Sequence, residues 1–104
     1  MIDVASYHEL ADAGLLSVKL PNGTQVCLIC YDGEVTAFLD ECPHSGMPLS
    51  AGELLEKCQL ECAWHGAIFD CVTGRVLRGP AEEPLTKVEV RVENGRVLVI
   101  DAGS

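Results

Sequence analysis

An all-β fold is predicted, an antiparallel β base carrying a loop-rich insertion. Three observations point to it. Turn signals at Pro21-Asn22-Gly23, Asp32-Gly33 and Asn94-Gly95 separate short runs rich in Val, Leu and Ile. Val88, Val90 and Val92 alternate with Glu89, Arg91 and Glu93, the period of two of a strand with one wet face. The middle, 41–81, instead collects Pro43, Gly46, Pro48, Gly52, Gly66, Gly74, Gly79 and Pro80, a density of chain-bending residues that suits loops.

Along the chain, Ser6-x-x-Glu9 reads as a capping box over a helical turn that ends at Gly14. Leu15 to Leu20 and Thr24 to Cys30 form a hairpin around Pro21-Asn22-Gly23, and Val35 to Leu39 is the next strand. Within the insertion, Ala67 to Cys71 and Arg75 to Leu77 can pair around Thr73-Gly74. Asn94-Gly95 turns the last strand pair, ending in Arg96 to Ile100. The 104 residues suit one domain, 1–104, with an insertion at about 41–81 and a β base at about 1–40 and 82–104.

The chain has 16 Asp and Glu against 7 Lys and Arg, a net charge of -9. Nucleic acid and anionic membrane carry the same sign and are poor partners; a basic protein surface is a better one. No apolar run approaches the ~20 residues that span a bilayer. Met1 to Gly14 has no Lys, Arg or long apolar stretch, so a leader is not expected and the reading is cytoplasmic. Six cysteines is a high number, and with two of them beside histidines metal binding is favoured over a disulfide framework.

Cys42-Pro43-His44 gives Cys-x-His, and Cys62-Ala63-Trp64-His65 gives Cys-x-x-His. Each motif puts one thiolate and one imidazole on one loop, and each is followed closely by a glycine, Gly46 or Gly66, where the backbone must pass near a metal without a Cβ. Two Cys and two His also suit tetrahedral zinc, but zinc fingers usually group Cys with Cys and His with His. Mixed loops fit a [2Fe–2S] centre in which histidines replace two thiolates on one iron.

The run Cys42-Pro43-His44, Cys62-Ala63-Trp64-His65-Gly66-Ala67-Ile68-Phe69-Asp70, Gly74, Gly79-Pro80 and Pro84-Leu85 resembles the Rieske ferredoxins of bacterial aromatic ring-hydroxylating dioxygenase systems. Ala63 departs from the proline often found there. The resemblance implies the Rieske fold, one 2Fe–2S cluster on Cys42, His44, Cys62 and His65, and a monomeric one-electron carrier. Its donor would be a ferredoxin reductase and its acceptor a terminal oxygenase. Catalysis is not expected, since only three histidines exist and two are committed to the cluster, leaving too few for a mononuclear iron. The other readings are a Rieske-type small subunit of nitrite reductase and a zinc-bound non-redox module. Where respiratory relatives have Ser and Tyr donors this chain has Ala67 and Phe69, and Met47 and Trp64 stand where those relatives have a disulfide between the cluster loops. A low potential is implied.

Cys27, Cys30, Cys58 and Cys71 are left over. Cys27 and Cys30, on opposite faces of a strand, are read as small buried hydrophobes, and Cys62 is preferred over nearby Cys58 as a ligand because only it has a histidine at the right offset. His8 reads as a surface residue and Trp64 as packing. Gly79-Pro80-Ala81 resembles the family's proline loop over the cluster. Asp40, Glu41, Glu53, Glu61, Glu82 and Glu83 flank the insertion as an acidic docking rim or a solvated surface.

Overall fold

The computed structural model describes residues 2–41, 48–62, 66–79 and 83–100. The elements in order are β1 Ile2–Ser6, α1 Tyr7–Ala13, β2 Leu15–Lys19, β3 Gln25–Tyr31, β4 Glu34–Leu39, a 3-10 turn Leu49–Ala51, β5 Glu53–Leu55, β6 Gln59–Glu61, β7 Ile68–Asp70, β8 Val76–Arg78, β9 Lys87–Val88, β10 Val90–Glu93 and β11 Arg96–Val99. Among the described residues they form three antiparallel sheets, ordered β1-β11-β10, β2-β3-β4-β9 and β5-β6-β7-β8.

The central strand β3 explains how the sheets stack. Val26 to Cys30 is buried at every position, the continuous apolar run of a strand covered on both faces. Cys27 and Ile29 join Phe38, Leu49, Leu60, Phe69 and Leu85 in one core cluster. Val26, Leu28 and Cys30 join Leu10, Ala37, Val88, Val97 and Val99 in the other. One face of the β2-β3-β4-β9 sheet therefore packs on the β5–β8 sheet, and the other packs on α1 and the β1-β11-β10 sheet. Fully burying each Phe or Leu contributes roughly 1.5–3 kcal/mol, so Phe38 and Phe69 hold the two neighbouring sheets together.

The turns form as their residues dictate. Ser6 Oγ accepts the Glu9 N–H at 3.0 Å, and Gly14 ends α1 at φ +80°. The helix runs for seven residues, longer than a single turn. Asp32 and Gly33, at φ 52° and 83°, make the two-residue turn between β3 and β4, and Asn94 and Gly95, at 50° and 75°, repeat it between β10 and β11. β1 is a strand that sequence pattern did not single out; it is completed only by pairing with β11 at the far end of the chain.

The Val88–Val90–Val92 alternation is not one strand. Val88 pairs with Ala37 in the central sheet and Val90 with Val99 in the outer one, so the chain changes sheets at Glu89. Val88 is buried whereas Val92 is exposed. A period of two reports a strand's wet and dry faces but not which neighbour it pairs with.

Candidate metal centre

Cys62 is the described member of the four sequence-predicted ligands; Cys42, His44 and His65 lie outside the described residues, as do Trp64, Pro80, Ala81 and Glu82. The chain entering and leaving both loops is described, and it shows how each loop is held.

The segment 42–47 leaves from the end of β4. Leu39 N–H donates to Thr86 O at 2.9 Å and Asp40 N–H to Gln25 O at 3.0 Å. The Asp40 carboxylate accepts Ser17 Oγ–H at 2.7 Å, Ser50 N–H at 2.8 Å and Ser50 Oγ–H at 2.7 Å. It thereby joins the chain before the loop to the chain after it. Asp40 is buried, so it departs from the acidic rim expected of it: a desolvated carboxylate needs donors, and its two serine partners meet that need. Glu41, Glu53 and Glu83 are exposed.

The second loop connects β6 to β7. Glu61 pairs with Ile68, and Cys62 N–H donates to Ala67 O at 2.7 Å, closing the loop at its base. Gly66 has φ +70°, where a side chain would be strained. Arg78, at the end of β8, donates to Gly66 O through Nε at 3.2 Å and Nη2 at 2.8 Å, and its Nη2 lies 3.4 Å from Glu61 Oε2. Gly52 packs so closely on this strand that a Cβ there would overlap the Glu61 carbonyl. Cys62 is buried in the apolar cluster with Leu49, Ala67 and Phe69.

Behind the loops, Thr36 Oγ–H donates to Cys71 O at 2.6 Å, a buried bond from β4 into the β5–β8 sheet. Gly74, at φ +80°, fits where a Cβ would come 2.9 Å from the Phe38 ring. The Asp70 carboxylate accepts N–H groups of Val72 at 2.8 Å and Thr73 at 3.0 Å. The Thr73 bond first and the Val72 bond second hold its carboxyl below the usual carboxylate range.

The leftover cysteines divide into two kinds. Cys27 and Cys30 are buried on opposite faces of β3, as strand geometry requires. Burial, and then the Asp40 charge, push the Cys27 thiol up, so it stays an inert thiol. Cys58 and Cys71 instead form a disulfide, a pairing the sequence pattern did not propose. The β6–β7 register, in which Gln59 faces Asp70, continues by one step to place Cys58 opposite Cys71, with Cα atoms 5.2 Å apart. Missing strand β6, sequence pattern had no means of seeing that pair. Nor does a lone Arg78 or Thr36 carry a sequence signal. His8 is exposed, as expected.

The donor set and its surroundings fit a [2Fe–2S] cluster. A buried thiol from Cys62 sits at the base of a loop whose Gly66 takes a backbone turn that a side chain would strain, and the paired Cys-x-His and Cys-x-x-His motifs would supply two thiolates and two imidazoles. Fold and donors together define a class, the small β proteins that carry an iron–sulfur centre between two loops. The chain belongs to the Rieske [2Fe-2S] domain family, whose model matches residues 1–92. It is 35% identical over 104 residues to the ferredoxin component of the p-cumate 2,3-dioxygenase system of Pseudomonas putida, covering 100% of this chain and 87% of that one. It is 32% identical over 98 residues to the ferredoxin component of the naphthalene 1,2-dioxygenase/salicylate 5-hydroxylase systems of a Ralstonia species, covering 94% and 92%. Among solved structures it resembles a chain in the complex of reduced oxygenase and oxidised ferredoxin of carbazole 1,9a-dioxygenase, with a TM-score of 0.85, 26% identity and coverage of 94% and 90%. The protein binds one Rieske-type [2Fe–2S] cluster and is an electron carrier of the ferredoxin type, not itself an enzyme.

Proposed function

We propose that this ferredoxin takes electrons from a flavin or iron–sulfur reductase and delivers them singly to the terminal oxygenase of an aromatic ring-hydroxylating dioxygenase. The observation that carries this reading is end-to-end likeness to ferredoxin components of such systems, one covering the whole chain. Cys42 and Cys62 would hold one iron and His44 and His65 the other. Bound there, the cluster supplies one-electron transfer. The protein's part is to fix the chain at the ends of each loop, through Asp40 at the first and through the Cys62–Ala67 hydrogen bond and Arg78 at the second. The β5–β8 sheet forms the core of a cluster-binding subdomain at about 41–81, on a base at about 1–40 and 82–104. We place the carrier in the cytoplasm as a monomer. No helix among the described residues is long and apolar enough to cross a membrane.

The potential should lie at the low end of the Rieske range, about -150 mV rather than about +300 mV. Hydrogen bonds to cluster sulfurs stabilise the reduced state, and Ala67 and Phe69 are fully buried apolar side chains with no hydroxyl to give. A redox titration landing well above zero would contradict this.

Stopped-flow mixing tests the function. The reduced protein should be reoxidised by a ring-hydroxylating terminal oxygenase within its turnover time, and reduced by the companion reductase. Failure of both transfers, with the cluster intact, would defeat the assignment.

A further inference from the structure

We propose that Arg78 is a positioning residue for the second cluster loop and the cation that favours its reduced state. The inference rests on the cluster being held by Cys62 and His65. The loop 62–66 has two ends, and one side chain reaches both. Arg78 Nε and Nη2 converge on the carbonyl of Gly66, the residue after His65, at 3.2 and 2.8 Å. The same Nη2 lies 3.4 Å from the carboxylate of Glu61, the residue before Cys62. Register explains the reach: Arg78 pairs with Ile68 across β7, next to the loop's exit. A planar guanidinium can grip one oxygen with two N–H groups and still present its outer edge to a carboxylate; an ammonium cannot do both with fixed geometry. The Cys62 N–H to Ala67 O bond closes the loop from within, and Arg78 closes it from outside.

The charge has its own consequence. Reduction adds one electron to the centre. In a chain of net charge -9, a cation fixed beside the Gly66–Ala67 peptide opposes that added negative charge, whereas Glu61 adds to it. The Arg78 side chain is 61% exposed and that of Glu61 is 34% exposed, so water and salt weaken both effects. A screened unit charge a loop's width away changes the reduced-to-oxidised ratio about threefold. The two members of one ion pair therefore act in opposite directions on the potential while acting together on loop geometry.

Three variants of the cluster-loaded protein separate these roles, each read by spectroelectrochemical titration at low salt and by the rate of cluster bleaching on mild warming. Arg78→Gln should lower the reduced-to-oxidised ratio at fixed poise about threefold, equivalent to about 28 mV for a one-electron couple. Glu61→Gln should raise it by a similar factor. Arg78→Lys should restore the ratio but, lacking the fork, should bleach several-fold faster than the parent, as Arg78→Gln does. Equal bleaching rates in all four proteins would overturn the positioning role. Shifts of the same sign in Arg78→Gln and Glu61→Gln, or none, would overturn the electrostatic role. If Arg78→Gln cannot hold the cluster, Glu61→Gln decides the charge effect: a raised ratio at low salt that shrinks at high salt supports it, and an unchanged or lowered ratio overturns it. A parent protein without the Rieske spectrum would instead overturn the cluster assignment itself.

Discussion

The base and the cluster-bearing sheet are built by different means. In the base, β2, β3 and β4 run five to seven residues each and β3 is buried on both faces. Apolar burial of β3 and the turn at Asp32-Gly33 specify them. In the insertion, β5 to β8 are three residues each, at the short end of the range for strands. Their positions depend on individual ties: Thr36 to Cys71, Asp40 to Ser50, the Cys58–Cys71 bond and the Asp70-capped turn. The difference teaches that a base held by strands buried in apolar clusters can carry loops whose ends are tied by single hydrogen bonds.

Removing the cluster should break the comparison most visibly. Cluster binding contributes folding free energy to whatever it orders. In the apo protein, amide exchange should accelerate by orders of magnitude in 53–78 while Val26 to Cys30 stay protected. Uniform loss across both regions would mean that they fold as one unit. Next in size, Phe38→Ala should cost about 3–5 kcal/mol, because the ring is fully buried in the cluster shared with Phe69 and Leu85. Denaturant melts should show both sheets losing stability together.

Cys58→Ser with Cys71→Ser should cost about 3 kcal/mol by the chain-entropy model, since the bond closes a sequence separation of 13. The loss should fall on exchange in β6 and β7 and spare β3. Asp40→Ala should cost about 1–3 kcal/mol, because it strips the partner from the Ser50 N–H and hydroxyl and from Ser17. Cluster retention should fall with it, whereas Glu41→Gln, at an exposed position, should leave retention unchanged.

The smallest effect concerns acid. The folded Asp70 carboxyl lies below the ordinary carboxylate range, held there by the Thr73 and Val72 N–H groups. A depressed carboxyl stabilises the fold fully above its unfolded value, and that contribution disappears as pH falls through the folded one. Asp70→Asn should therefore flatten part of the acid limb of the stability curve below about pH 4. Melting temperatures of both proteins between pH 7 and pH 2 would show it; parallel curves would contradict it.

How much could be read beforehand follows how locally each feature is decided. Turns at Asp32-Gly33 and Asn94-Gly95 and the hairpin around Asn22 were legible because local chemistry decides them. The ligand motifs were legible because the donor types are rare and closely spaced. Strands β1 and β6 were not, because three or five residues of mixed character become strands only when a distant partner supplies the hydrogen bonds. Asp40 looked like one surface acid among several, and nothing in sequence distinguishes it from Glu41 until β4 turns its side chain inward to two serines. The Cys58–Cys71 bond was hidden for the same reason: it depends on a register, not on a spacing.

The decisive measurement is electron-spin resonance of the reduced protein with nitrogen hyperfine resolution. Ligation of one iron by His44 and His65 predicts a rhombic signal carrying two imidazole nitrogen couplings. An axial signal without nitrogen coupling, or a colourless protein containing zinc and giving no signal, would contradict it.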